Sequence, residues 1–524
     1  MKRLIALLLT AVLCTGLLTG CRQEKKDAYT PTGDALEAED APEKPAGDGG
    51  NAPEQELSLA YYADRSMNPL VSADFTNRMI LSLLYQNLFS VSKDYEAVPV
   101  LCGKYAVSED MRTHVFYVAE GATFSDGTPV RPEDLQATLK FASSPEKCPL
   151  YGYRFFHLID GPTVQPDGGV RLEFSIPYEN LPLLLDIPIL KASELESPNP
   201  LGSGPYVLEK APDGMRLRRR NNWWCQSDDL ALKASTVKLV SATDTNFIRD
   251  AFEFDDVGLV CADPGADNYA DYRCDYELWD CENGMFLYLG FNTESEELSS
   301  PQIRAAITHA IDREKIAEEY YRGFARPASL PASPYSPFYN ESLAANYSYD
   351  PELFKQTIAN AGLKDHEIEL MVNGADSKRL RVAKAIAKML EEGGLKVQVV
   401  ESSAGNLEYN LNSREYDLYL CQTILPPNMD LTQFFYMFGS LSFGRMDDEG
   451  IYTLCGDALA NQGNYYNLHK KIMDEGRLCP ILFRSYAVYG IRGLISDLNP
   501  ARDNVFYYTV GQKLRDIQIM MEES

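Results

Sequence analysis

Apolar residues recur along this chain at two spacings, and the change from one to the other marks its elements. Leu57-Ser58-Leu59-Ala60-Tyr61 alternates and predicts a first strand, with Asn68-Pro69-Leu70 in the loop that follows. Met79 to Leu88 is an apolar run that predicts a helix. Val115 to Val118 are β-branched or aromatic and predict a strand. Ser125-Asp126-Gly127-Thr128-Pro129 turns the chain. Pro132 then opens a helix with Glu133 and Asp134 at its positive end and Leu135, Leu139 and Ala142 on its buried face. Arg171 to Ile176 reads as a strand. In the second half Phe286 to Asn292 is strand-like, and Ser300 with Pro301 starts a helix whose Ile303, Ile307 and Ile311 lie four apart. Asp350 caps another helix, which Gly362 ends. Ile368, Leu370 and Val372 alternate, Leu380 to Leu390 is helical, and Val397 and Val399 alternate again. Strand, helix and strand at this spacing predict a βαβ unit with parallel pairing. Tyr416 to Leu420 and Pro480 to Tyr489 are further strands. Periodicity alone predicts an α/β chain with more than one domain.

Two stretches at the start lie outside this pattern. Met1 to Cys21 begins with Lys2 and Arg3, runs apolar from Leu4 to Leu18, and ends Leu18-Thr19-Gly20-Cys21. The run is short for a membrane span, and its end resembles the lipobox of bacterial lipoproteins, which implies lipidation at Cys21 and an acyl anchor on the extracytoplasmic face of the cell membrane. Arg22 to Glu56 has no hydrophobic rhythm, is rich in Ala, Pro, Gly, Asp and Glu, and is expected to be a disordered tether.

Composition narrows the function. The 524 residues exceed one compact core, and 45% hydrophobic residues suffice for a globular body. A formal charge of −27 leaves no basic surface for phosphate, so no nucleic-acid partner is expected. Eleven cysteines without a CxxC pair, and only five histidines, suggest neither a zinc site nor another metal. Most of the cysteines read as small buried hydrophobes. HExxH and GxSxG do not occur. Ser90 to Lys93 and Ser144 to Lys147 fit SxxK without the partner motifs a penicillin-binding-type site requires. In Leu201-Gly202-Ser203-Gly204-Pro205-Tyr206 the glycines lack the GK[ST] of a phosphate loop and are expected to make a tight turn. Arg218 to Arg220 read as a solvated strand face. Neither an enzyme nor a cofactor is expected.

Four ordered segments carry a resemblance that spans Leu57 to the C-terminus. They are Phe124-Ser125-Asp126-Gly127-Thr128-Pro129-Val130 with Glu133-Asp134; Gly202-Ser203-Gly204-Pro205-Tyr206; the run from Ile303-Arg304-Ala305-Ala306-Ile307 to Ala310-Ile311-Asp312-Arg313-Glu314-Lys315-Ile316; and Tyr349-Asp350-Pro351-Glu352 with Ala361-Gly362 and the Tyr416–Leu420 strand. They resemble extracellular solute-binding protein family five, the peptide-, dipeptide- and nickel-binding proteins of ABC importers.

The resemblance implies a periplasmic-binding-protein-like (Venus flytrap) α/β fold, two lobes sharing crossing strands as a hinge. The expected organisation is a signal peptide over 1–20, an acidic tether over 21–56, lobe I from 57–75, 180–284 and 485–524, an inserted subdomain over 76–179, and lobe II over 285–484. It implies a monomer that closes on a small ligand, an oligopeptide above all, and delivers it to a permease and its ATPase subunits. A ligand-sensing receptor of the same fold and an extracellular hydrolase are the alternatives.

In the family's peptide binders an aspartate after the Tyr-Asp-Leu strand pairs with the peptide's α-amine. Laid without gaps, that pattern places Leu425 at the aspartate and Gln422 at a tryptophan, keeping only Asp430. Family clefts are lined with Tyr and Trp. The ligand-binding residues expected on this basis are Asn68, Gln422, Thr423, Leu425, Asp430 and Tyr486.

Overall fold

The computed structural model describes residues 57–521 apart from 73, 226, 267–271 and 496–497. Cys21, the signal segment and the tether lie outside the described residues.

The first strand, β1 (Ser58–Tyr61), pairs in parallel with β2 (Thr236–Ser241) and β3 (Leu259–Ala262). A hairpin of Tyr206–Ala211 and Gly214–Arg219 extends this lobe I half of the sheet antiparallel to β2. The long strand β4 (Tyr276–Phe291) then leaves lobe I and continues into lobe II. There β5 (Glu367–Asn373) lies parallel to β6 (Lys396–Ser402) and to β7 (Leu418–Ile424), the pairing that the strand–helix–strand rhythm predicts. Helix Ser377–Glu392 makes the crossover and buries Val382, Ala383, Ile386 and Leu390 at helical spacing. The strand β8 (Leu478–Ile491) returns antiparallel to β4 along nearly its whole length, so that both lobes share one 11-stranded sheet. The β4–β8 register breaks between Glu282 and Phe286. Gly284, at φ +69°, sits in that break, a conformation glycine adopts without strain.

A second sheet forms the insert. Cys102–Val107, Thr113–Val118, Val170–Phe174 and Leu158–Val164 pair antiparallel in that order. Helix Pro132–Ala142 packs on it, buries Leu135, Leu139 and Ala142, and is capped by Asp134 accepting from the Arg131 N–H. Near the C-terminus the strand Gln518–Met520 pairs parallel to Cys102–Val107, so it extends the insert's sheet and not that of lobe I.

Three local readings change. The first helix is Phe75–Leu84, four residues earlier than its apolar run, because Asp74 caps it through the Asn77 N–H. Gly202 and Gly204 are not turn glycines. They let their loop lie against the last turn of that helix, where a Cβ at Gly202 would come 2.0 Å from the Leu84 carbonyl oxygen and one at Gly204 2.5 Å from that of Leu83. Arg220 is no solvated residue either. It donates to the carbonyls of Thr123, Phe124, Ser203 and Gly204, tying two of the sequence motifs together.

The third motif has a similar internal use. Arg304 donates to the carbonyls of Leu298, Ser299, Glu475 and Gly476. Arg313 donates to those of Thr308, Ile311, Ala328 and Pro480. Both guanidiniums are buried. Of the nine described cysteines seven are buried and two half-buried, all as free thiols.

Candidate functional site

Parallel α/β sheets place ligands beyond the carboxyl ends of their strands. Here β1 and β3 of lobe I, and β5 and β7 of lobe II, end at Tyr61, Ala262, Asn373 and Ile424. Residues that follow these ends line three cavities around the β4–β8 crossing.

The largest, about 540 Å³, lies between Tyr153 and Arg154 of the insert and Tyr288, Gln422 to Pro426 and Asp430 of lobe II. A smaller one of about 100 Å³ adjoins it, sharing Leu150, Arg154 and Ile424 and adding Pro69 and Arg78. A third of about 430 Å³ is lined by Asp263 and Gly265 of lobe I, Tyr321 and Lys378 of lobe II, and Gln422 and Arg484.

The structure brings Gln422, Thr423, Leu425 and Asp430 to the first cavity, each in a different setting. Gln422 Oε1 accepts from Arg484 Nη1 at 3.1 Å. The Leu425 side chain is buried in the lobe II core, while its N–H donates to the Gly284 carbonyl and its own carbonyl accepts from Arg502. Asp430 is held by one oxygen, which accepts from the N–H and hydroxyl of Thr432. Burial pushes the nearby His157 imidazole below its usual range, and the Asp430 carboxylate acts against that shift.

Asn68 and Tyr486 are placed elsewhere. Asn68 is buried and donates to the carbonyls of Leu195 and Ser197, while its amide oxygen accepts from the Leu70 N–H. It therefore shapes the loop that presents Pro69. Tyr486, on β8, stacks on Phe75 with ring centroids 3.6 Å apart, and burial raises its phenol. Neither lines the three cavities.

Residues outside the expected set contribute more of the lining. Arg154 reaches from the insert to Asp186. Ile424 is 47% exposed, an apolar side chain left open between the first two cavities. Arg484 interrupts the apolar run Pro480-Ile481-Leu482-Phe483, a charge inside a buried strand that the sequence does display.

The backbone of β7 adds a further feature. On one side it pairs with β4 through Ile424. On the other, its pairing with β5 stops at Leu420, so no strand among the described residues covers that edge of Cys421 to Ile424. The four residues of that stretch, Cys421 to Ile424, line the 540 Å³ cavity.

The profile of the bacterial extracellular solute-binding proteins, family 5 (middle region), matches residues 96–444. The glutathione-binding protein GsiB of Salmonella typhi is 24% identical over 357 residues, which is 65% of this chain and 68% of that protein. The oligopeptide-binding protein OppA of Bacillus subtilis is 20% identical over 395 residues, 67% of this chain and 72% of that one. Among solved structures, the ABC transporter substrate binding protein CtaP of Listeria monocytogenes superposes with a TM-score of 0.71 at 18% identity, over 87% of this chain and 98% of that chain.

Proposed function

This chain belongs to the bacterial extracellular solute-binding proteins, family 5, and we propose from that premise that it captures an oligopeptide between its lobes and hands it, as a lipid-anchored monomer, to the permease of an ABC importer. The coarser function follows from the family itself: an extracytoplasmic substrate-binding protein of ABC transporters for peptides or similar ligands, and not an enzyme. The hydrolase alternative is thereby set aside.

The uncovered edge of β7 beside the 540 Å³ cavity carries the choice of a peptide. An extended peptide laid there gains main-chain hydrogen bonds whatever its side chains are, and cavity walls sort the side chains. Closure of the lobes would then exclude water from those bonds.

Of the two carboxylates that line this cavity, Glu408 is exposed and Asp430 half-buried, and Asp430 is the one assigned here to a peptide's ammonium. A short-peptide pool with free N-termini is expected to bind wild type about tenfold or more tighter than the same pool acetylated, and Asp430→Asn should bind both alike. Calorimetric titration of the four combinations checks this. A strong acetylation effect in both proteins would assign the amine to another carboxylate.

No helix among the described residues is long and apolar enough to cross a membrane. The anchor in this reading is Cys21, through acyl chains on its thiol, and its support is the lipobox-like Leu18-Thr19-Gly20-Cys21. Cys21→Ala is expected to leave the chain unprocessed or released. Cell fractionation that finds the variant processed and membrane-bound like wild type would remove the anchor from this account.

A further inference from the structure

We propose that the lobe II wall of the 540 Å³ cavity is a pocket for one large apolar side chain of the bound peptide, aromatic or branched aliphatic. It rests on the peptide reading above and narrows the peptides that fit.

The two faces of β7 differ. Residues paired directly across two strands point to the same face of the sheet. Cys421 pairs with Tyr288 and Thr423 with Phe286, whereas Gln422 pairs with Leu287. Phe286, Tyr288 and Cys421 belong to one apolar core of lobe II, together with Leu411 of helix Leu407–Ser413. Leu287 belongs to a separate core, with Leu418, Leu420 and the buried face of helix Ser377–Glu392. Past Leu420 that second face turns polar, because Gln422 accepts from Arg484, which is itself paired with Asp263. The first face stays apolar.

The cavity opens onto this first face. Tyr288, Leu411 and Cys421 are buried core side chains, yet each of them lines it. Leu407, Leu441 and Phe443 are half-buried, pack against the same core and line it too. Crossed rings lie behind the wall. Tyr288 meets Phe434 at 5.2 Å and 79°, and Phe443 meets Tyr419 at 6.1 Å and 89°. An apolar group placed here leaves water and joins that packing.

The polar side chains of the cavity are mostly engaged within the protein. Arg154 reaches Asp186, Gln422 accepts from Arg484, and Gln433 accepts from the N–H and hydroxyl of Ser440. Asp430 gives one oxygen to Thr432, and Glu408 is exposed. A charged side chain entering beside Leu411 and Phe443 would exchange water for an apolar wall.

A peptide paired to the uncovered edge of Cys421 to Ile424 alternates its side chains between the two faces. One is sent to the Tyr288 side and the next to the Gln422 side. The apolar requirement therefore falls on one residue, and its neighbours in the peptide meet polar surroundings. Such a pocket selects a pattern, and not overall hydrophobicity.

The test uses the purified full chain and tripeptide pools of alanine with either phenylalanine or serine. By calorimetric titration, wild type is expected to bind the phenylalanine pool about tenfold or more tighter than the serine pool. Leu441→Glu, which puts a carboxylate on the half-buried wall, is expected to erase that preference. Leu407→Gln, in the first turn of its helix, gives the same reading should Leu441→Glu fail to fold. A second probe is a single residue. N-acetylphenylalanine amide, compared with N-acetylserine amide, is expected to raise the melting midpoint of wild type and not of the variants. Equal affinity for both pools in wild type overturns the pocket while leaving peptide capture intact. A preference undiminished in the variants overturns it as well. If neither pool binds and the phenylalanine amide still raises only the wild-type midpoint, the pocket stands and the peptide reading falls. If neither pools nor amides bind, both fall.

Discussion

Arg313→Met is expected to lower the stability of lobe II by about 3–5 kcal/mol, more than any substitution in the cavities. The side chain is buried and has no carboxylate partner among the described residues. Its charge is held by four carbonyl oxygens from three segments, before helix Arg313–Tyr321, after strand Ala325–Pro327 and at the start of β8. Methionine fills a similar volume but donates nothing, so several buried carbonyls lose a partner together. Arg313→Lys should recover little, because an ammonium has three donors and no planar fork to span oxygens on opposite sides. Urea unfolding followed by circular dichroism measures the change. A midpoint within error of wild type for Arg313→Met would mean that the carbonyls find other partners.

Gly202→Ala is the second substitution with a large expected effect, about 3 kcal/mol. The added methyl would meet the Leu84 carbonyl oxygen at 2.0 Å, and the obstacle is backbone at the end of a helix, which cannot rotate away as a side chain can. Relief requires the loop to move, and moving it breaks the Gly204 N–H bond to Leu84 O and the Ser125 N–H bond to Gly202 O. The adjacent Ser203→Ala, which adds no atoms, is the control. Thermal unfolding of the two variants should separate them by several degrees, and equal midpoints would contradict the close approach.

Both cases show what a linear pattern reveals and what it hides. The motif around Ile303 to Ile316 was visible because its apolar positions repeat and its order is distinctive. That Arg304 and Arg313 face inward was not, since the carbonyls they serve lie up to 172 residues away in the chain. The parallel βαβ unit was legible from alternation and a helical interval. The placement of Gln518–Met520 on the insert's sheet depended on a pairing with Cys102–Val107 that no local signal announces.

The same distinction applies to the site. Gln422 to Ile424 form the end of β7 and Leu425 and Asp430 follow it, so a pattern anchored on that strand leads to the residues that line the first cavity. Asn68 also follows a strand, but its amide is consumed by the carbonyls of its own lobe. Lys378 sits in Ser377-Lys378-Arg379-Leu380-Arg381, a stretch that reads as the solvated start of an amphipathic helix. Its burial against Pro264 arises only when the two lobes meet. Arg484 left a trace, a charge within an apolar strand, whose meaning required Asp263 to be brought beside it.

Ile424→Arg tests the central claim most directly. Ile424 is exposed, lines both of the adjoining cavities, and lies at the end of the uncovered strand edge, so arginine there blocks the crevice without disturbing the core. Calorimetric titration with a short-peptide pool is expected to show binding to wild type at one peptide per chain and none to Ile424→Arg, with the two proteins melting alike when peptide is absent. Equal binding to both would place the ligand outside the interlobe crevice and contradict the account.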